Sequence, residues 1–310
     1  MTGLQSFFAA VSAVVLFIYG LQGFSRELQA VGGPALQAWL GRITASRWLA
    51  FIVGALATAI LQSSSAVTSL TTALVDASVI SFRASLGVLL GANVGTTVTA
   101  WLVSLKLTAI GPVFIVLGTA LSALPKRVSI AGKAVFYFGL IFFALNLISV
   151  ELKPLREQPA FLEWLALAQT PWVGVTIGLV FTAVLQSSSV TTGVAILLVQ
   201  QGVLPAEAAI PIVVGANVGS TSTALLASIG MSPIARATAE ANFLFNVAGT
   251  VLFFPFLPQF AYAIVNLAGD PVMAVAWAHL IFNLAVALVF LVPFNWLAPR
   301  LQSLILRERL

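Results

Sequence analysis

The 310-residue chain has no cysteine and a single histidine, His279. Disulfides and thiol chemistry are therefore excluded, and one imidazole cannot build a zinc site. Charge is scarce as well: 7% of the residues are Asp, Glu, Lys or Arg, against 60% that are hydrophobic. Soluble domains carry about 25% charged residues, so this composition, with a mean hydropathy of +1.08, marks an integral membrane protein. The strict alternation of a membrane β-barrel is missing, whereas several apolar stretches reach the roughly 20 residues that a spanning helix needs. The fold class is all-α. The 14 basic residues, which leave a net charge of +5, are scattered through loops and not clustered with aromatics, so no nucleic-acid partner is expected. No nucleophile and base pair and no metal cluster can be assembled, so the chain is not expected to be an enzyme or to hold an organic cofactor or transition metal.

Against this background stand two polar tetrads, Gln62-Ser63-Ser64-Ser65 and Gln186-Ser187-Ser188-Ser189, 124 residues apart and each inside a stretch long enough to cross a bilayer. Polar clusters at such depth are tolerated only where they are buried in protein or line a cavity. A second landmark, Gly91-Ala92-Asn93-Val94-Gly95, recurs at the same offset as Gly215-Ala216-Asn217-Val218-Gly219. Between 54–100 and 178–224 about 21 of 47 positions are identical without a gap, so the chain is an internal duplication. Leu16 to Val31 likewise aligns with Leu140 to Leu155, so residues 7–24 read as a membrane helix and not as a secretory signal.

The first repeat, 1–128, reads as an apolar helix (7–24), a short amphipathic stretch (28–41), a segment (48–75) interrupted at the tetrad, a segment (84–105) interrupted at the Asn loop, and a closing helix (108–124). The second, 129–258, repeats this as 133–150, 158–168, 172–201, 207–230 and 240–257. Residues 259–310 supply a C-terminal transmembrane helix (272–297) and a short cytoplasmic tail. If the tetrad segments are re-entrant hairpins, each unit has an odd number of crossings and the two repeats have inverted topology; if they cross, the repeats are parallel. The hairpin arrangement puts 11 of the 14 Lys and Arg on one side, Arg26 and Arg42 among them, whereas crossing gives 10 against 4. The positive-inside rule thus favours the hairpins narrowly. The expected orientation is N-terminus outside and C-terminus cytoplasmic.

A helix broken in mid-membrane exposes backbone N–H groups at the start of its second half, and these carry partial positive charge. Serines there add hydroxyl donors. That combination binds an oxyanion without a cationic side chain, and the segments around the tetrads hold no Lys or Arg near their centres. A sodium ion asks for neutral oxygens, which Gln62, Gln186, Asn93, Asn217, Thr96, Thr97, Ser220 and Thr221 provide. Glycines on both sides of each Asn permit a broken helix there. Paired discontinuous segments in corresponding positions of two repeats point to a transporter's central site. Ser and Thr in membrane helices more often only pack helices together. Recurrence of both motifs at identical spacing favours a site, while Thr68, Ser69, Thr71, Thr72, Thr191 and Thr192 suit packing equally well.

At these residues the chain resembles the type II sodium/phosphate cotransporter family, whose mark is a twice-occurring Gln-Ser-Ser-Ser, each copy followed by Gly-x-Asn-x-Gly-Thr/Ser. The similarity also takes in the Leu16 to Gly20 opening and the stretches Arg236 to Asn246 and His279 to Asn283. The resemblance implies sodium-coupled symport of inorganic phosphate by alternating access across the cytoplasmic (inner) membrane, with the tetrads at hairpin tips near the midplane. It implies phosphate or sodium contacts for Ser63, Ser64, Ser65, Ser187, Ser188 and Ser189. Gln62, Gln186, Asn93, Asn217 and Asn246 would ligate sodium or brace the tips. The implied partners are phosphate, sodium and the lipid bilayer, with a homodimer left open. Animal members carry an acidic residue and a Phe-Asn motif after the first Asn loop, whereas 106–118 here holds neither, so sodium stoichiometry and charge movement stay open. The chain, closing at Leu310, is expected to lack the long cytoplasmic tail of some bacterial members.

Hydroxyl and amide donors serve any small oxyanion, so arsenate, sulfate or a dicarboxylate, phosphate export, or a passive pore remain competing readings. Asp76 has Gln200 as its twin and reads as a loop carboxylate; His279 and Asn283 share a helix face and suit an interhelical hydrogen bond better than proton coupling. Trp39, Trp48, Trp101, Trp164, Trp172 and Trp296 fit interfacial anchors.

Overall fold

The computed structural model describes residues 3–41, 46–105, 108–125, 127–152, 163 and 167–307. The expected 158–168 stretch lies largely outside them, as do Arg42 and the side chains of Trp39 and Trp164. Among the described residues there are helices and no strand. In chain order they are α1 (Gly3–Gly41), α2 (Arg47–Leu61), α3 (Ser64–Asp76), α4 (Phe82–Ser104), α5 (Gly111–Ser122), α6 (Arg127–Leu152) and α7 (Pro171–Leu185). After these come α8 (Ser188–Gln200), α9 (Ala206–Ser220), α10 (Ser222–Ala227), α11 (Pro233–Phe253), α12 (Leu257–Ala268), α13 (Pro271–Leu291) and α14 (Phe294–Arg307). Six stretches among them are long and apolar enough to span a bilayer: Phe8–Gly33, Phe82–Ser104, Val128–Glu151, Ala206–Ala227, Pro233–Ala268 and Pro271–Leu291. The chain is an all-α integral membrane protein.

Each tetrad stops one helix and starts the next within two residues. Gln62 takes the left-handed conformation (φ 52°, ψ 32°) and its N–H closes on the Thr58 carbonyl, ending α2. Ser63 is extended, and its hydroxyl accepts the Ala66 N–H at 3.2 Å, which caps α3. Gln186 (φ 53°, ψ 29°) and Ser187, whose hydroxyl accepts from Val190, repeat this between α7 and α8. Side-chain N-capping supplies one of the amide partners that a helix start lacks.

The chain reverses at both tetrads. Thr182 and Thr191 hydroxyls meet at 2.6 Å across the second one; nine residues along a straight helix would separate them by about 13.5 Å. In the first unit Gly91 abuts the backbone of Phe51 and Ala55, while Gly95 abuts Ala55 and Thr58, so α2 and α4 run parallel. Parallel packing needs two reversals, one at 77–81 and one at the tetrad. α2, at 15 residues, is about 22 Å long, short of the ~30 Å hydrocarbon core.

Contacts between the units are head to tail. Gly20 abuts Ile141 and Gly23 abuts Tyr137, so α1 and α6, the two repeat-equivalent opening helices, pack antiparallel. Beyond the lipid-facing helices, α4 and the α9–α10 segment form the enclosed centre, each with 72% of its spanning window buried, against 11% for α11–α12.

Three expectations are corrected. The helix is not broken at the first Asn loop: α4 runs unbroken through Gly91-Ala92-Asn93-Val94-Gly95, and α9 is helical through Asn217, with an interruption only at Thr221. A Cβ on Gly91 would lie 1.9 Å from the Phe51 carbonyl oxygen, and one on Gly215 1.9 Å from that of Val175. These glycines serve close helix packing, not unwinding. α1 is continuous over 7–24 and 28–41, and the final helix stops at Leu291, where a turn at Val292 and Pro293 leads into a separate α14. Trp48, Trp172 and Trp296 are exposed as anchors would be, whereas Trp101 packs edge-on against Trp277 at 4.7 Å.

Candidate functional site

The two tips meet. A cavity of about 270 Å³ is lined by Gln62, Ser63, Ser64 and Ser65 from one and Gln186, Ser187, Ser188 and Ser189 from the other. The Ser65 hydroxyl donates to the Gln186 carbonyl at 3.4 Å across the gap. α3 and α8 both begin here, so the N–H groups of Ser64, Ser65, Ser188 and Ser189, which precede the first intrahelical bonds, sit at the cavity wall. Two helix N-termini directed at one small space create positive potential without any formal charge.

Thr99 of α4 couples the tips. Its hydroxyl donates to Gln62 Oε1 at 3.0 Å and accepts from the Ser189 hydroxyl at 3.2 Å. Gln62 is otherwise folded on its own helix end, with Nε2 donating to the Ala59 carbonyl at 2.6 Å, while the Gln186 side chain is exposed. Thr223, the repeat twin of Thr99, is not used in this way: its buried hydroxyl has no partner among the described residues. The two halves of the site are therefore alike in backbone and unlike in their side-chain bonds.

The remaining oxygen-bearing residues named from the sequence do not line this cavity. Asn93 Nδ2 donates to Asn246 Oδ1 at 3.3 Å, and Asn246 Nδ2 in turn reaches the Asn242 carbonyl at 2.9 Å, so a string of buried amides ties α4 to α11. Asn217 Nδ2 donates to the Val213 carbonyl at 3.2 Å. Thr96 and Thr97 donate to the Ala92 and Val94 carbonyls of α4, and Ser220 and Thr221 to the Asn217 and Val218 carbonyls of α9. Such hydroxyls keep their oxygen lone pairs available to a cation.

The third wall of the cavity is unforeseen. Leu21, Gln22, Ser25, Arg26 and Gln29 of α1 complete the lining. Ser25 donates to the Leu61 carbonyl at 3.0 Å and accepts from Gln29 Nε2 at 2.8 Å, which braces the end of α2. Arg26, a loop cation by the sequence reading, lies inside the Phe8–Gly33 span. The signal was present: Gln22, Ser25, Arg26 and Gln29 recur at i, i+3, i+4 and i+7, one face of an otherwise apolar helix.

Two other polar residues settle outside the site. Asp76 Oδ1 accepts the Ser232 backbone N–H at 2.8 Å, which ties the base of the first hairpin to the start of α11. Interactions with the Ser232 side chain and backbone hold this exposed carboxyl below the usual aspartate range. His279 is buried, and the expected interhelical bond is absent: neither ring nitrogen has a partner among the described residues, while Asn283 donates to the His279 backbone carbonyl at 2.9 Å.

A duplicated helical fold whose two reversal points meet at one small polar cavity, with six helical stretches long and apolar enough to span a bilayer, is that of a multi-pass membrane protein. The chain belongs to the Na+/Pi-cotransporter family, whose profile matches residues 16–150 and 158–268. It is 30% identical over 296 residues to "Uncharacterized protein YqeW" of Bacillus subtilis, covering 94% of this chain and 96% of that one. It is 29% identical over 301 residues to "Putative inorganic phosphate export protein YjbB" of Escherichia coli, covering 96% of this chain and 55% of the longer relative. A shorter stretch of 104 residues, 32% of this chain and 15% of the relative, is 34% identical to the rabbit (Oryctolagus cuniculus) "Sodium-dependent phosphate transport protein 2A". No solved structure matches. Its family is one of phosphate transporters.

Proposed function

We propose that the chain carries inorganic phosphate with sodium across the cytoplasmic membrane by alternating access, using the tip cavity as its single central site. The observation that carries this reading is the convergence of both tetrads, and of the α3 and α8 N-termini, on one space of about 270 Å³. Ser63, Ser64, Ser65, Ser187, Ser188 and Ser189 bind phosphate through hydroxyl and backbone N–H donors. Gln62 and Gln186, with Asn93, Asn217, Thr96, Thr97, Ser220, Thr221 and Asn246, supply neutral oxygen for sodium, the Asn residues from positions behind the tips. The antiparallel packing of α1 on α6 supports two inverted repeats whose hairpins enter the bilayer from opposite faces, with the N-terminus outside and the C-terminus cytoplasmic.

Export is the second reading, favoured by the name of the YjbB relatives. The same donor set serves flux in either direction, and the ion gradients decide between them. The test is phosphate flux in proteoliposomes, with and without a sodium gradient, at two clamped membrane potentials. A sodium gradient is expected to concentrate phosphate on the side to which sodium runs down, with saturation in both ions. Accumulation indifferent to sodium rejects the coupling, and outward flux alone under cell-like gradients selects export.

A further inference from the structure

Arg26 is the one charged side chain lining the tip cavity. It lies within a spanning stretch of α1, exposed toward that cavity, and makes no hydrogen bond or ion pair with a described residue. Glu27, the adjacent acid, does not line the cavity. A cation at membrane depth is costly unless it pairs or faces a water-filled space, and such residues mark ion pathways. Here the unpaired guanidinium borders two helix N-termini and six serines, an arrangement that adds formal positive charge to a site already positive. Among the described residues no carboxylate pairs with it, although Tyr137 lies within electrostatic reach, and this is the condition expected of a group whose counter-ion is the cargo. The repeat twin of Arg26 is Val150, so the charge enters from one side of the pseudo-symmetric site only.

We propose that Arg26 is a substrate-binding residue that selects a doubly charged tetrahedral oxyanion by forming a two-pronged charge-assisted pair with it. A planar guanidinium fork matches two oxygens of phosphate, which lysine, a point charge, does not. Neutral hydroxyls and N–H groups alone discriminate poorly between singly and doubly charged oxyanions; a fixed cation among them favours the latter. It also offsets one negative charge of the bound anion, which leaves fewer charges for sodium to balance. This inference rests on the transport reading above and adds to it a residue on the opening helix, outside both repeated motifs.

The test is equilibrium binding of inorganic phosphate to the purified full-length protein in detergent with sodium present, beside flux in proteoliposomes, for wild type, Arg26→Gln and Arg26→Lys. Thermal unfolding without phosphate checks that each variant is folded. Arg26→Gln is expected to raise the dissociation constant for phosphate roughly 10- to 100-fold, the scale of a lost hydrogen bond to a charged group. Arg26→Lys should keep the charge, lose the fork and fall between the two. Wild-type phosphate affinity in a folded Arg26→Gln protein overturns the assignment and leaves the transport reading intact. If Arg26→Gln does not fold, wild-type affinity in Arg26→Lys overturns the paired geometry. A wild-type protein that neither binds nor moves phosphate overturns both.

Discussion

Ser63 and Ser187 use their hydroxyl oxygens to accept from the amides of Ala66 and Val190, so the first serine of each tetrad shapes the turn. Ser64, Ser65, Ser188 and Ser189 follow, with amides outside the helical ladder and side chains on the cavity. Ser64→Ala and Ser188→Ala are therefore expected to raise half-saturating phosphate roughly tenfold, since a hydrogen bond to a charged partner contributes about 1.5–3 kcal/mol. Ser69→Ala, on the same hairpin but away from the cavity, should leave it unchanged. Flux measured for the three variants in proteoliposomes checks this, and equal small effects would identify all three as packing residues. The tetrads were legible in the sequence because they recur, and recurrence separates a site from a chance polar pair. Arg26 and Thr99 were not. Arg26 occurs once, in a helix whose continuity the sequence did not betray, and its charge reads equally as a loop cation. Thr99 does recur, as Thr223, but a threonine in a membrane helix is ordinary; only the tertiary fold brings it within 3.2 Å of both tips.

At the level of elements, the hairpins follow from caps that can be read in the chain, and their bounds shift by the same 124 residues: α2 and α3 against α7 and α8. Gly91-Ala92-Asn93-Val94-Gly95 shows where such reading stops. Glycine flanking asparagine invites unwinding, yet the same absence of Cβ lets two helices touch backbone to backbone, and the sequence alone cannot distinguish the two uses. Gly54, with a hypothetical Cβ 2.1 Å from the Val88 carbonyl, and Gly178, 1.9 Å from that of Ile212, are the partner notches on α2 and α7. Gly91→Ala is accordingly expected to destabilise the protein by about 3 kcal/mol, the upper part of the usual overpacking range, seen as a lowered unfolding temperature in detergent. Gly33→Ala on α1, where nothing lies within 4 Å, should be neutral or slightly stabilising, because alanine is the better helix former. An unchanged unfolding temperature in Gly91→Ala, combined with impaired flux, would return this segment to an unwound role.

For the whole molecule, absence of cysteine makes topology directly measurable. Val79 and Val203 are repeat twins in the loops after α3 and α8. Inverted repeats predict that Val79→Cys reacts with an impermeant maleimide from the cytoplasmic side and Val203→Cys from the outside; labelling of both from one side would make the repeats parallel. The glycine notches also fix how such a molecule can move. With α2 keyed to α4 and α7 to α9 through backbone contact, neither tip can tilt without carrying a full enclosed helix with it. What joins the two resulting bodies is a set of hydrogen bonds, Ser65 to Gln186 at 3.4 Å, Ser189 to Thr99 at 3.2 Å and Gln200 to Val103 at 3.3 Å, beside apolar packing of Ala100 and Val103 against α8. The protein is thus a pair of stiff jaws, and an ion held by both tips at once would be a rivet through the seam between them.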